Sequence, residues 1–271
     1  MTEFLDALMQ HAFLRHALIG GLLASLGCGV IGSYVVVRRI GFLAGGIAHS
    51  VLGGMGAALY FGFDPIIAAF VTAIVAALII GLVTLHGREK EDTLIAALWA
   101  AGMAIGIIFL SLTPGYNTEL MSYLFGNILM VSRRELWLMG MMDVVILGLV
   151  GLFYKQFLAV SFDEEFARLR GVPVTLFYLL LLVLVALTVV LLIQVVGLIL
   201  VIALLTIPAA IAGHYMRTLA GMMVVGALLG MLFSSGGLLL AWQPDLPPGP
   251  VIILLAAVSY IVSLLAWRLR R

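Results

Sequence analysis

Nine apolar runs, each about as long as a bilayer is thick, account for most of this 271-residue sequence. They lie near 13–37, 42–62, 66–85, 93–112, 136–157, 174–196, 197–216, 218–240 and 251–267. Crossing the roughly 30 Å hydrocarbon core takes about 20 apolar residues in an α-helix. Lipid cannot satisfy free backbone N–H and C=O groups, so each run must be helical. Hydrophobic residues make up 64% of the chain and charged ones 10%, against about 45–50% and 25% in soluble domains. The expected fold is therefore all-α, a polytopic helical membrane protein of about nine transmembrane helices, with eight as the alternative. No linker, short repeat or low-complexity tract divides residues 1–271, which are expected to form one transmembrane domain. A net charge of +1 leaves no basic face for nucleic acid. The single cysteine, Cys28, cannot close an internal disulfide. No secretory signal is expected, because the first apolar run is too long for one and ends in Arg38-Arg39.

Lys and Arg concentrate at cytoplasmic ends of membrane helices. Arg38, Arg39, Arg88, Lys90, Lys155, Arg168, Arg170, Arg217, Arg268, Arg270 and Arg271 all fall on one side of a nine-span alternation. Eleven of the fourteen positive residues then face the cytoplasm, and Arg15, Arg133 and Arg134 lie outside. The N-terminus is expected outside and the C-terminus inside. The short segment 120–131, with Ser122, Gly126 and Asn127, fits this count as a re-entrant or interfacial helix on the outer face.

Ionisable residues at bilayer depth cost at least ~2.5–3.5 kcal/mol each on insertion scales, so each one poses a functional question. Three stand out here. His49 lies mid-span in GGIAHSVLGG, and its imidazole suits zinc and other first-row divalent metals. It equally fits a histidine bonded to a neighbouring carbonyl. Asp143 lies two turns into the fifth run and fits either a pathway carboxylate or a hydrated group near the interface. His214, followed by Arg217, reads as an interfacial residue. Gln194 adds an uncharged polar group. The series Gly45-xxx-His49-xxx-Gly53, with Gly46 beside it, and Gly102-xxx-Gly106 has the small-residue spacing of closely packed helices. Gly45, Gly46, Gly53 and Pro208 are therefore packing or pathway candidates. The thirteen methionines have no ligand partners beside them and read as packing.

The sequence contains no HExxH, GxSxG or GxxxxGK[ST] pattern, so neither an enzyme nor a P-loop ATPase is expected. Between the fifth and sixth runs lies SFDEEFARLRGVPV, residues 161–174. Asp163, Glu164 and Glu165 open a short predicted helix near 162–171. Arg168 and Arg170 fall in its last turn, and Gly171 with Pro173 end it. Phe162, Phe166 and Leu169 form one apolar stripe. Such a helix fits lipid headgroups or a groove in a soluble partner, and its acidic residues beside an anionic leaflet favour the partner.

Five stretches, in order, resemble the permease subunits of the metal-ion ABC transporters, the zinc/manganese/iron group called the ABC-3 family. They are GVIGSYVVVRRIGFLAGGIAHSVLGG (29–54), LSLTPGYNTELMSYLFGNIL (110–129), SFDEEFARLRGVPV, VVGLILVIALLTIPAAIA (195–212) and DLPPGP (245–250). The resemblance implies a fold like that of the vitamin B12-type importers. It also implies a homodimer in a prokaryotic plasma (inner) membrane, cytoplasmic ABC ATPase subunits and an extracytoplasmic metal-binding protein. Asp163, Glu164, Glu165, Phe166, Arg168, Leu169, Arg170 and Gly171 correspond to the coupling helix that docks on the ATPase. No cofactor is implied; the metal is cargo. Family members often carry an aspartate four residues before the span-two histidine, but Gly45 stands there. With that hard oxygen ligand missing, the expected cargo shifts from manganese toward zinc, with manganese or iron next and Asp143 a candidate replacement carboxylate. The rival expectation is an ion-coupled secondary metal transporter without an ATPase, for which a single membrane carboxylate is thin support.

Overall fold

The computed structural model describes residues 2–86, 91–113, 128–197 and 201–269, and every regular element among them is helical. The α-helices are α1 (Thr2–Gln10), α2 (Ala12–Arg38), α3 (Gly41–Phe61), α4 (Pro65–His86), α5 (Glu91–Leu112), α6 (Arg133–Leu152), α7 (Tyr154–Phe162), α8 (Glu164–Leu169), α9 (Val174–Val196), α10 (Val201–Tyr215), α11 (Leu219–Trp242) and α12 (Pro248–Leu269). Eight of them, α2–α6, α9, α11 and α12, are long and apolar enough to cross a membrane. The run expected as a ninth span, 197–216, holds the 15-residue α10, about 22 Å long at 1.5 Å per residue and short of a full crossing. Pro208 lies buried inside it and cannot donate to the carbonyl one turn earlier. Of the segment expected to re-enter, only 128–131 falls within the described residues, where Ile128–Met130 make a single 3₁₀ turn. The rest of it, 120–127, lies outside them.

Local chemistry sets the helix boundaries. The expected fifth span began at 136, but α6 starts at Arg133 because Ser132 and Glu135 form a reciprocal cap. The Ser132 N–H donates to Glu135 Oε2 at 2.6 Å and Glu135 N–H donates to Ser132 Oγ at 3.2 Å. The same run does not continue unbroken to 157: Phe153 leaves helical geometry and α7 begins at Tyr154. Asp64 caps α4 by accepting from Ile66 N at 2.8 Å, with Pro65 at the first helical position. Gly62 (φ +74°) ends α3 in the left-handed region.

The described residues group into two compact units. One holds 2–36, 128–147, 191–197 and 201–269. Within it α2 lies close to α10 and α11: a Cβ on Gly29 would meet the Ala227 backbone, and one on Gly32 the Leu205 carbonyl. Ser25 and Ser234 share a buried hydrogen bond of 3.2 Å there. The other unit holds 37–86, 91–113 and 148–190. Its α3 and α5 approach backbone to backbone. A Cβ on Gly53 would lie 2.9 Å from the Gly102 carbonyl oxygen, and one on Gly56 would lie 2.6 Å from that of Gly106. This is how bilayer helices gain dispersion contact without a hydrophobic driving force. Helices α2, α3 and α9 are largely buried, whereas α5, α6 and α12 expose most of their apolar surface.

Candidate functional site

His49 is placed by the tight α3–α5 contact. One turn before it, Gly45 is buried, and a Cβ on Gly46 would collide with Ile95 of α5. Ser50 binds back to the Gly46 carbonyl at 2.7 Å and across to the Leu98 carbonyl at 3.2 Å. This locks the rotation of α3 about its axis. The His49 ring stacks on Trp99 of α5, with centroids 4.0 Å apart and planes 12° from parallel. Phe42 packs beside the same indole at 5.8 Å. Nδ1 is buried and makes no hydrogen bond among the described residues, so no carbonyl is bonded through that nitrogen. The imidazole is held by stacking and keeps a nitrogen uncommitted. Sequence reasoning missed Trp99, because no spacing within α5 reveals which ring it meets on α3.

Asp143, on α6 in the other unit, is 3% exposed. Both its carboxyl oxygens lack a hydrogen-bond partner among the described residues. The hydrated, near-interface alternative does not match this burial. Such a group is costly to bury, so its position calls for an occupant or a role. Among the described residues no three His, Cys, Asp or Glu side chains converge as a closed metal cage. His214 is an anchored structural residue. Its Nδ1 lies 3.1 Å from Ser263 Oγ, and its ring stacks against Tyr260 and Trp267 at 5.8 and 5.2 Å. The side chain of Gln194 falls outside the described residues.

The predicted loop helix is present as α8 but is shorter than the expected 162–171, because Asp163 is extended and leaves Phe162 at the end of α7. Asp163 is its N-cap, accepting from Phe166 N at 2.9 Å, and Glu164 and Glu165 occupy the first turn. Arg168 is in the last turn, and Arg170 is the C-cap, its guanidinium over the Phe166 ring. The end is a Schellman motif: Gly171 N donates to the Arg168 carbonyl and Val172 N to that of Ala167, both at 3.0 Å. Gly171 sits at φ +75° in open space, so backbone conformation alone requires glycine there. Phe162, Phe166 and Leu169 are all exposed, Leu169 at 87%. Phe166 and Leu169 lie on α8, whereas Phe162 ends α7 on the other side of the extended Asp163, so the expected stripe is divided between two helices.

The family profile described as the ABC 3 transport family matches residues 10–267. The chain belongs to the ABC 3 transport family. An uncharacterized membrane protein of Synechocystis sp. is 48% identical over 97% of this chain and 94% of its own length. The manganese transport system membrane protein MntC of Halalkalibacterium halodurans is 33% identical over 97% and 90%. Among solved structures, PsaBC from Streptococcus pneumoniae in complex with Fab contains a chain with TM-score 0.88. It is 34% identical, over 97% of this chain and 94% of that one. A metal-chelate type ABC transporter in an inward-facing conformation matches at TM-score 0.70 and 16% identity, over 96% and 88%, and bears on the fold alone.

This ABC 3 chain is thus a multi-pass permease with the helical importer fold, not an enzyme. ATP hydrolysis resides in a separate ATPase subunit. The ion-coupled transporter without an ATPase falls away with the family assignment.

Proposed function

We propose that this chain is the membrane subunit of an ATP-driven importer of divalent transition-metal ions, and that zinc is its preferred cargo. His49 carries this reading. Its ring is fixed on Trp99, one nitrogen is uncommitted, and glycine packing holds the surrounding helices. An imidazole in that setting can bind a passing ion without trapping it, as conduction demands. Gly45 removes the oxygen ligand that would favour manganese, which leaves a nitrogen donor better suited to zinc. The buried, unpartnered carboxyl of Asp143 is a second pathway group, used at a different stage of passage. Manganese is the second reading, favoured by the similarity to the manganese transport system membrane protein of Halalkalibacterium halodurans.

The Arg- and Lys-bearing connections after α2, α4 and α6 lie in the cytoplasm and the N-terminus outside; the expected inside C-terminus needed a ninth crossing, which α10 is too short to make. The Arg38–Glu164 contact supports placing the α2–α3 and α7–α8 connections on the same side of the membrane. The exposed stripe of α8 seats in the ATPase subunit, with Asp163, Glu164, Glu165, Arg168 and Arg170 around it. A second copy of the chain completes the pathway, and an extracytoplasmic binding protein delivers the ion.

The test is metal uptake by proteoliposomes containing this chain, its ATPase and its binding protein, with zinc and manganese in competition, with and without ATP. Uptake that requires ATP and prefers zinc is expected. ATP-driven uptake that prefers manganese would overturn the cargo assignment, and uptake independent of ATP would overturn the mechanism.

A further inference from the structure

A single arginine bridges the break between α7 and α8. Helix α7 stops at Phe162 because Asp163 is extended (φ −152°, ψ 98°), and α8 restarts one residue later. Asp163 N still closes on the Ala159 carbonyl at 2.9 Å, but beyond it the break interrupts the helical hydrogen-bond ladder. Arg38 occupies this gap from the end of α2. Its Nη1 donates to the Val160 carbonyl at 2.5 Å, and its Nη2 donates to Glu164 Oε1 at 2.8 Å. The guanidinium also lies over the Tyr178 ring of α9, 5.0 Å from the centroid. The next residue, Arg39, adopts a left-handed backbone (φ 60°) that ends α2 there.

The magnitudes separate this arrangement from an ordinary surface ion pair. An exposed ion pair adds little, and Glu164 is 39% exposed. The Arg38 side chain is only 15% exposed and has three simultaneous partners on three helices. Two of its contacts use the planar fork of the guanidinium, which lysine cannot reproduce. The fork spans the one non-helical residue about which α8 can swing relative to α7.

We propose that Arg38 is the positioning residue that transmits ATPase motion, by fixing the α7–α8 joint to the end of α2 so that a displaced α8 carries the α2 terminus with it. This rests on the reading that α8 docks on the ATPase. Without the fork the joint flexes, and ATP turns over without moving the spans.

The test uses the assembled permease, ATPase and binding protein in proteoliposomes, and measures ATP hydrolysed per metal ion taken up. Arg38→Gln and Arg38→Lys are each expected to assemble with the ATPase and hydrolyse ATP. Their ATP consumed per ion should rise about tenfold, the lower end for losing a charge-assisted hydrogen bond. Glu164→Gln should give a smaller rise in the same direction, and Arg38→Gln/Glu164→Gln should match Arg38→Gln alone. A merely structural arginine would lower assembly and both activities together, leaving the ratio at the wild-type value. That result, or an unchanged ratio in Glu164→Gln if the Arg38 variants fail to assemble, would overturn the proposal. A second readout needs no cargo: backbone hydrogen exchange at 35–40 when the ATPase and a non-hydrolysable ATP analogue are added. Wild type should respond and Arg38→Gln should not. A wild type that takes up no metal yet shows this Arg38-dependent response would remove the importer reading and keep the joint, and a wild type without the response would remove the joint.

Discussion

His49 and Asp143 are both ionisable residues set deep in apolar helices, yet their surroundings differ. His49 has a built environment, with a stacked indole, a neighbouring serine that fixes helix rotation, and glycines that admit close backbone approach. Asp143 has burial and no hydrogen-bond partner among the described residues. Stacking supports a ring while leaving its nitrogens available. A carboxyl can be supported only by donors or cations, and none is supplied by the described residues. The contrast is between a ring supported by its neighbours and a carboxyl buried without a hydrogen-bond partner among the described residues.

The largest effect that tests this contrast is on transport. His49→Ala should lower ATP-dependent zinc uptake at least ~10–100-fold, the range for losing even an outer-shell metal partner, with ATP hydrolysis intact. Wild-type uptake in that variant would reduce His49 to packing. Asp143→Leu fills a similar volume and removes the unpartnered group, so it should raise stability by about 1–3 kcal/mol, read as thermal unfolding in detergent. Uptake should fall at the same time, a stability gained where function is lost. His49→Leu should bring no such gain, because the stack is lost with the imidazole. Equal stabilisation of both would erase the distinction. The smallest effect belongs to Trp99→Leu, which forfeits the ring contact and should cost about 0.5–1.5 kcal/mol. The same variant should raise the zinc concentration for half-maximal uptake several-fold, measured over a concentration series.

Chain-local features were legible in the sequence. The capping residues of α8, Asp163 and Gly171, were legible because caps act within one turn and do not depend on distant partners, although the helix itself is shorter than the expected 162–171. The small-residue spacing on α3 and α5 pointed to close packing, and Gly53 and Gly102 do meet. The Ser132–Glu135 cap was equally local but was obscured by Arg133 and Arg134, whose charge suggested a loop before the fifth span.

By itself the sequence determined that this is an all-helical membrane protein, because a chain this apolar must satisfy its backbone internally. It also placed the capped loop helix α8. Tertiary structure alone decided that His49 stacks on Trp99, fifty residues away, and that Asp143 lacks partners. It likewise decided that Arg38 reaches Val160 and Glu164, more than 120 residues later. Periodicity gives the face of a helix but not its neighbour. Which helix packs against that face depends on shape and glycine contact along its whole length, and no local run of residues encodes it.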